Sequence, residues 1–308
     1  MWFVYALLTM LAWGAADLFY KRGADEKDRY SHLKTAMMVG FVMGIHAFVM
    51  LAVKDIGYDL KNVLIYFPVS LMYILSMVIG YFGLRYLELS ISSPVQNASG
   101  AVVCILCLVF LGQTMDLLSS VAVVLICGGV VLLGVFEKQK ETAFEREQNK
   151  KYKIGFVAFL MPVLYCIIDS LGTFFDAYYL DDIAKTPLVG VTEGTFEDVA
   201  NISYELTFFA ASVIILIFLL CKKEKIRPID QKDRGLAAVF ETAGQFSYVY
   251  AMSGNGVVAA PMVAAYCVVS IVLSRIFLKE KLPGRQYLSV AVVVLGIILM
   301  GIAEGLAE

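Results

Sequence analysis

One helix-pair motif occurs twice in the sequence, as PVQNASGAVVCILCLVFLGQTMDLLSSVAVVLICGGVVLLG at residues 94–134 and as PMVAAYCVVSIVLSRIFLKEKLPGRQYLSVAVVVLGIILMG at residues 261–301. The copies align without gaps, and each predicts two apolar helices joined by a short turn. The first turn, at 112–116, contains no basic residue, whereas the second, at 279–285, contains lysine and arginine. Basic loops stay on the cytoplasmic side of a membrane. We therefore expect the two copies to face opposite ways across a bilayer.

The composition indicates an integral membrane protein. Of the 308 residues, 60% are hydrophobic and only 17% are charged, which is too apolar for a soluble domain of this size. The charges cluster in a few loops and leave apolar runs of about 20 residues, the length at which a helix spans a bilayer. No alternating pattern typical of barrel strands appears. Ten transmembrane helices are predicted, at residues 2–20, 33–53, 63–84, 93–111, 118–136, 154–175, 201–221, 235–253, 258–277 and 286–303.

Loop charges predict the orientation in the plasma membrane. Three loops are rich in lysine and arginine: residues 21–29, 137–153 and 222–234. These loops are expected inside the cell, and the acidic segment 176–200 is expected outside. Lys54 and Lys61, between spans two and three, weakly favour the opposite assignment. With ten spans, both termini are then predicted to lie outside.

The repeat extends to both halves of the chain. An offset of 152 residues aligns span one with span six and matches Trp13 with Tyr165 and Asp17 with Asp169. Five spans per half is an odd number, so the halves are expected to be inverted. The predicted organisation is a first five-helix repeat (1–136), a basic cytoplasmic linker (137–153) and a second repeat (154–308) with an acidic outer loop at about 176–200. Inverted repeats of this kind are typical of secondary transporters.

These features resemble one known family. The five-plus-five arrangement, the Trp13-Gly14 pair late in span one and the proline-led fourth and ninth spans are similar to the ten-helix EamA-like branch of the drug/metabolite transporter superfamily. The stretch Phe277–Lys281 looks like the family's Gly-Glu turn, with Lys279 where glycine is common. The resemblance implies a transporter of small metabolites, such as amino acids, and not an enzyme.

Ionisable residues inside apolar spans are the first candidates for a transport path, because burying a charge in lipid costs several kcal/mol. Asp17 and Asp169 occupy equivalent positions of the two repeats, where they are expected either to line a central cavity or to reach water near a helix end. Glu241 lies in span eight with Gln245 one turn further on the same helical face. No basic residue accompanies Glu241 at helical spacing, which favours a role in the path.

Three further polar residues lie within spans. His46 follows Gly40 and Gly44 in span two, where it can shuttle protons or form a hydrogen bond between closely packed helices, and the glycines favour the second reading. Gln96 and Asn97 lie just after Pro94. Amides beside a proline-interrupted helix start are plausible solute ligands, because freed backbone carbonyls are tolerated only where they line a cavity. Their second-half counterparts are apolar.

Aromatic residues offer a second kind of contact. Tyr81 matches Tyr248 at the 167-residue offset, and Trp13 matches Tyr165 at the first offset. These four side chains are expected either to stack on a flat or cationic solute or to belong to the lipid-facing and interfacial aromatic belt. In the related four-helix multidrug pumps, a glutamate of span one exchanges protons for drugs. The matching position here is Trp13, so that coupling device is not carried over.

The sequence predicts a secondary transporter that moves a small polar metabolite, an amino acid or a related compound, by alternating access. Multidrug efflux, sugar or nucleoside uptake, and a non-transporting receptor or assembly factor are the alternatives. The expected partners are the small-molecule substrate, a coupling proton or cation and the lipid bilayer; a homodimer is a further alternative, and nucleic acid is not expected. No cofactor, metal site or ATP motif is predicted. Cys104 and Cys107 form a CxxC inside a span and are interpreted as buried thiols.

Overall fold

The computed structural model describes residues 1–54, 56–148, 154–253, 255–280 and 284–307, with side chains described outside 135–159. The described chain is all-helical. Two π-helical turns (Cys107–Leu111 and Ser274–Leu278) and one 3₁₀ turn (Pro228–Gln231) accompany the α-helices. The α-helices are α1 (Trp2–Gly23), α2 (Ser31–Val53), α3 (Lys61–Leu84), α4 (Leu89–Asn97), α5 (Ser99–Leu106), α6 (Leu117–Gln148), α7 (Ile154–Tyr179), α8 (Phe196–Cys221), α9 (Lys232–Met252), α10 (Gly256–Ala264), α11 (Tyr266–Leu273) and α12 (Gly284–Ala307).

The duplicated motif folds into two copies of the same broken span. The fourth predicted span divides into α4 and α5 at Ala98, and the ninth divides into α10 and α11 at Ala265. Each break lies four residues after a proline inside the helix, because proline removes one backbone hydrogen bond and clashes with the preceding turn. Both copies then continue into a π-helical turn that ends at a left-handed residue. The two motif copies thus share the same local backbone, and the inversion of the two whole halves stays a prediction.

The broken spans occupy the centre of the bundle. The stretch Gly256–Leu278, which contains α10 and α11, is 83% buried within the protein, against 22% for α12. A helix buried all round must pack through small side chains or glycines. In α10 the alanines at 259 and 260 are buried, and a Cβ atom on Gly100 of α5 would lie 2.5 Å from Cβ of Ala264. Spans four and nine therefore bring their interrupted backbones to the interior.

Among the described residues, nine spans have the length and apolarity needed to cross a membrane. The remaining predicted span is α9, which is more polar because it carries Glu241 and Gln245 in its interior. α9 nevertheless packs along α1 and α2. The amino group of Met1 lies 3.3 Å from Oε1 of Glu304, and Nε1 of Trp2 donates to Glu304 at 2.5 Å. Both chain ends therefore lie on one face, which agrees with an even number of crossings, and α9 stays the predicted tenth span.

Two faces of the bundle can be named from such contacts. The termini face carries both chain ends and the loop at 180–195. The opposite face carries the ends of α1, α3 and α8. There, Lys34 at the start of α2 pairs with Glu224, which follows α8, with Nζ and Oε2 2.9 Å apart. Most of the lysine- and arginine-rich segments adjoin this opposite face.

Helices of each half pack against helices of the other half. Helix α1 packs against α9 and α11, and its counterpart α7 packs against α3 and α5. Helices α2 and α8 contact each other, as do α6 and α12. Gly129 and Gly296, which match in the repeat, allow this last contact: an added Cβ would lie 2.5 Å from Cγ2 of Val293 or 2.8 Å from Cγ1 of Ile126. Each half thus completes the other.

Close packing is also found where the sequence predicts it in span two. A Cβ on Gly40 would lie 2.2 Å from the carbonyl oxygen of Phe208, and one on Gly44 would lie 2.3 Å from the ring of Phe209. Small residues at i and i+4 let two backbones approach in this way. The two glycines of α2 therefore let the backbone and the phenylalanine side chains of α8 pack closely against α2.

The helices that flank the predicted linker and the predicted acidic loop are longer than the sequence predicts. α6 continues to Gln148, so most of the predicted linker at 137–153 is helical; residues 149–153 lie outside the described part of the chain. Residues 137–148 are rich in strong helix formers such as lysine, glutamate and glutamine, which lets the helix continue beyond the apolar span. The predicted acidic loop at 176–200 shortens to 180–195, because α7 and α8 each extend by about one turn.

Candidate functional site

A cavity lies at the centre of the bundle, where the broken spans meet α1, α3, α7 and α9. Its volume is about 60 Å³, enough for a few water molecules. Backbone interruptions in a membrane are tolerated only where they are buried in protein or line such a cavity. The side chains around it are Trp13, Asp17, Tyr20, Tyr73, Met77, Tyr81, Leu84, Gln96, Asn97, Ser99, Tyr165, Asp169, Thr173, Tyr204, Glu241, Tyr248, Val263 and Tyr266, with small residues between them.

Two of the cavity's carboxylates are the symmetry-matched pair. Asp17 of α1 accepts hydrogen bonds from the hydroxyls of Ser93 (2.7 Å) and Ser270 (2.6 Å), which come from the two broken spans. Asp169 of α7 accepts one from Ser99 at 2.8 Å. Asp17, in the first helix of the first half, is thus held by a serine of α11 in the second half. Asp169, in the first helix of the second half, is held by a serine of α5 in the first half. These bonds between the halves fix both carboxylates beside the cavity.

Glu241 supplies a third carboxylate without a counterpart in the other half. It lies a turn and a half beyond the first turn of α9 and is only 7% exposed. The hydroxyl of Tyr20 donates to its Oε2 at 3.1 Å. Among the described residues, no lysine, arginine or histidine lines the cavity. The site therefore brings three buried carboxylates together with hydroxyl donors and no fixed cation.

Aromatic rings form most of the remaining wall. Trp13 lies against Tyr248, with ring centroids 5.0 Å apart, and edge-on to Tyr266 at 5.7 Å. Tyr20 lies against Tyr81 with centroids 4.5 Å apart. Ring faces attract cations within about 6 Å, the more so away from water. Carboxylates and ring faces together make this cavity suited to a positively charged group.

Glycines create the space for these rings. A Cβ on Gly244 would lie 2.3 Å from Cδ1 of Trp13, so only glycine lets the indole lie flat against α9. The indole Nε1 then donates to the carbonyl oxygen of Glu241 at 3.3 Å. On the other side, a Cβ on Gly80 would lie 2.7 Å from the ring of Tyr165. The matched aromatics Trp13 and Tyr165 are therefore each seated on a glycine of the neighbouring helix.

Comparison with known proteins supports the same fold. The EamA-like transporter family matches residues 1–135 and 205–302. The chain belongs to the EamA-like transporter family. As a member, it is a multi-pass membrane transporter of the drug/metabolite type, which agrees with its apolar helices. A solved crystal structure, titled only as a protein, superposes with a TM-score of 0.64 at 13% identity, covering 97% of this chain and 96% of that one. No match was found among curated proteins.

Nine of the eleven residues that the sequence singled out line the cavity of this EamA-like transporter: Trp13, Asp17, Tyr81, Gln96, Asn97, Tyr165, Asp169, Glu241 and Tyr248. Gln245 is not among the lining residues. It is buried, and neither atom of its amide has a hydrogen-bond partner within the described part of the chain.

His46 lies away from the cavity. Its Nδ1 is 2.8 Å from Oε1 of Glu205 on α8, and its side chain is 30% exposed on the side of the bundle. His46 therefore does not lie with the other predicted site residues around the cavity. Its contact with Glu205 fits the alternative prediction, a hydrogen bond between two closely packed helices. Glu205 of α8 is fully buried. The sequence analysis did not name it as the partner of His46, although it is an ionisable residue inside the predicted seventh span.

Sequence reasoning also missed several residues that line the cavity, hold its carboxylates or lie next to it. The serines that hold the aspartates, Ser93, Ser99 and Ser270, are ordinary in membrane helices, and nothing in their spacing marks them. The same holds for four wall tyrosines: Tyr20, Tyr73, Tyr204 and Tyr266. Asp176 was assigned to the outer loop, but it lies within α7 and is fully buried. A signal existed for the last error, since aromatic residues continue the apolar pattern to Tyr179.

Proposed function

We propose that this protein is a secondary transporter that moves a small amine-bearing, positively charged metabolite by alternating access. The observation that carries the proposal is the pairing of three buried carboxylates with a wall of aromatic rings and no basic side chain around one central cavity. A buried anion without a cation is costly. An ammonium group of the solute would supply the missing charge.

The cavity separates two substrate classes by charge. An amino acid also carries a carboxylate, which would need hydrogen-bond donors to replace water. The amides of Gln96 and Asn97 and the tyrosine hydroxyls are the main donors in the cavity wall. Nε2 of Gln96 donates to Oγ of Ser92 at 3.0 Å, and Nδ2 of Asn97 donates to the carbonyl oxygen of Ser93 at 2.9 Å. Because both amides already donate within their own helix, simple amines are favoured, and an amino acid whose carboxylate recruits the remaining N–H and hydroxyl groups is the second candidate.

The geometry around the cavity fits a closed intermediate of a rocking transporter. Towards the termini face, hydroxyls of Tyr73 and Tyr248 meet at 2.7 Å. Towards the opposite face, Nζ of Lys21 donates to the carbonyl oxygens of Leu84 (2.8 Å) and Leu87 (2.6 Å). In alternating access, one such closure opens at a time while the halves rotate around a central site.

A binding titration tests the charge preference. The chain has two tryptophans, so Trp2→Phe leaves Trp13 as a fluorescent reporter in the cavity wall. We expect tetramethylammonium and methylammonium to quench Trp13 saturably, and acetate to have no effect. Glu241→Gln should weaken cation binding at least tenfold, whereas Glu193→Gln, in the exposed loop on the termini face, should not. Binding of acetate, or cation binding that is indifferent to Glu241, would overturn the proposal.

A further inference from the structure

Asp176 is a buried carboxylate just outside the cavity. It lies on α7, three residues before the helix ends at Tyr179, and its exposed fraction is 0%. The hydroxyl of Tyr66 on α3 donates to its Oδ1. Its Oδ2 has no partner at hydrogen-bond distance within the described part of the chain, and Tyr248 is a further hydroxyl close to the carboxylate. An acidic residue buried within a membrane span without a cation is unusual enough to indicate function.

A continuous stripe on α7 joins Asp176 to the cavity. Asp169, Thr173 and Asp176 are spaced i, i+4 and i+7, which places them on one face of the helix. Asp169 and Thr173 line the cavity. Asp176 lies about 10 Å beyond Asp169 along the helix axis, towards the termini face. The stripe therefore leads out of the cavity, from one carboxylate to another.

Hydroxyls close the space between these two carboxylates. The hydroxyl of Tyr73 lies 2.9 Å from Oγ1 of Thr173 and 2.7 Å from the hydroxyl of Tyr248. Tyr248 also lies close enough to Asp176 for an electrostatic interaction. No charged group stands between the cavity and Asp176 along this stripe. Separation of the Tyr73–Tyr248 pair would thus expose Asp176 directly to a solute in the cavity.

The two ends of the cavity differ in their charged groups. At the end towards the opposite face, the ammonium group of Lys21 donates to the carbonyl oxygens of Leu84 and Leu87. It also lies close enough to Glu26, Glu88 and Glu280 for electrostatic interactions, so its charge is balanced locally. Lys21 matches Thr173 at the 152-residue offset, where the other end has a neutral hydroxyl. The buried carboxylate of Asp176 is therefore the charged group that a cation would meet when it leaves the cavity along α7 towards the termini face.

We propose that Asp176 is a second cation-binding carboxylate, which receives the ammonium group of the solute when the Tyr73–Tyr248 pair separates. The inference rests on the proposed transport of amines. It assigns to Asp176 a step in passage and none in binding at the central cavity, where three other carboxylates are available. Binding and flux should therefore respond differently to its removal.

The test compares binding and exchange in the same variants. Affinity for tetramethylammonium is measured through Trp13 in the Trp2→Phe background, and exchange of radiolabelled tetramethylammonium is measured in proteoliposomes. We expect Asp176→Asn to slow exchange at least tenfold and to change the affinity less than twofold. Asp176→Glu, which keeps the charge, should recover most of the rate. Glu193→Gln, in the exposed loop on the termini face, is the control and should exchange at the wild-type rate.

The outcomes distinguish a failure of the second site at Asp176 from a failure of the proposed cation transport. Wild-type exchange by Asp176→Asn, or equal losses of affinity and rate, would overturn the second site. If Asp176→Asn does not fold, Tyr66→Phe decides, because it removes the hydroxyl that donates to this carboxylate: a changed exchange rate at unchanged affinity would support the inference, and an unchanged rate would overturn it. If the wild-type protein neither binds nor exchanges the cation, the proposed function itself fails.

Discussion

At the scale of single residues, the cavity is defined by side chains whose partners come from other helices. Asp17 receives two serine hydroxyls from two different broken segments, and Trp13 rests on Gly244 of α9. The acidic residues were predictable because charge inside an apolar span is conspicuous in the sequence. The serines were not, because a serine in a membrane helix can bond its own backbone equally well.

Gly244→Ala should damage binding more than stability. The new methyl group would meet Trp13 at 2.3 Å, so the indole must leave its place between α9 and the rings of Tyr248 and Tyr266. We expect cation affinity to fall at least tenfold. Gly128→Ala is the matched control, because nothing lies within 4 Å of a Cβ there, and alanine should stabilise the helix by roughly 0.5–1 kcal/mol. Equal affinity in both variants would contradict the assigned role of Trp13.

At the scale of elements, the sequence predicted the spans and their duplication but not how the duplicated spans end. The offset of 167 residues located both proline breaks, since Pro94 and Pro261 are visible in the motif. The π-helical turns have no comparable signal. α9 is a helix where the sequence predicts the eighth span, but Glu241 and Gln245 lower its apolarity, and it is not among the nine described helical stretches that are long and apolar enough to cross a membrane. Its helix boundaries and those of α7 and α8 shifted by about a turn, because aromatic and polar residues at the interface continue the helical pattern.

The two equivalent turn residues predict opposite stability changes. Gly112 and Lys279 both adopt left-handed backbone, at φ of 64° and 57°, a conformation that costs a residue with a side chain about 1–2 kcal/mol. Lys279→Gly should raise the free energy of unfolding by up to ~1 kcal/mol, since the added flexibility of glycine offsets part of the gain. Gly112→Ala should lower it by about 1–2 kcal/mol. Thermal unfolding of the purified variants checks both, and a destabilising Lys279→Gly would contradict the conformation.

Asp116 predicts a pH dependence at the start of α6. The Ser119 hydroxyl and the backbone N–H groups of Ser119 and Leu118 donate to its carboxylate, and these bonds hold the pKa of Asp116 below its ordinary value of 3.8. Because the folded state favours the ionised form, the stabilisation is present above that value and is lost as the pH falls through the lower folded pKa. Thermal melting between pH 5 and pH 3 should therefore show a smaller acid-induced decrease in Asp116→Asn than in the wild type. Equal decreases would contradict the capping role.

At the scale of the whole molecule, two halves that exchange helices surround one asymmetric site. The common position of the chain ends agrees with the ten spans that the sequence predicted from its apolar runs and its repeat. The packing of each half's first helix against the other half was not predicted. The location of the cavity did not follow from the sequence, because it depends on how α1 packs against α9 and α7 against α3. The symmetry supplies two aspartates, and Glu241 and Asp176, which lack counterparts, make the site and its exits unequal.

The lysine- and arginine-rich segments predict the orientation of the whole molecule. They adjoin the opposite face, which is expected inside the cell, so a short tag at either end of the chain should be accessible from outside. Labelling of intact cells with an impermeant reagent tests this, with a tag inserted in the basic segment at 222–227 as the internal control. Labelling of that insertion but of neither terminal tag in intact cells would reverse the assignment.

The cavity of carboxylates and aromatic rings is proposed to move cations across the membrane. Exchange of radiolabelled tetramethylammonium in proteoliposomes measures this movement, with the wild type, Glu241→Gln and the exposed-loop control Glu193→Gln reconstituted in parallel. We expect exchange by the wild type and by Glu193→Gln that unlabelled amines inhibit and acetate does not, and at least a tenfold loss in Glu241→Gln. Exchange of anions instead of cations, or undiminished cation exchange by folded Glu241→Gln, would contradict it.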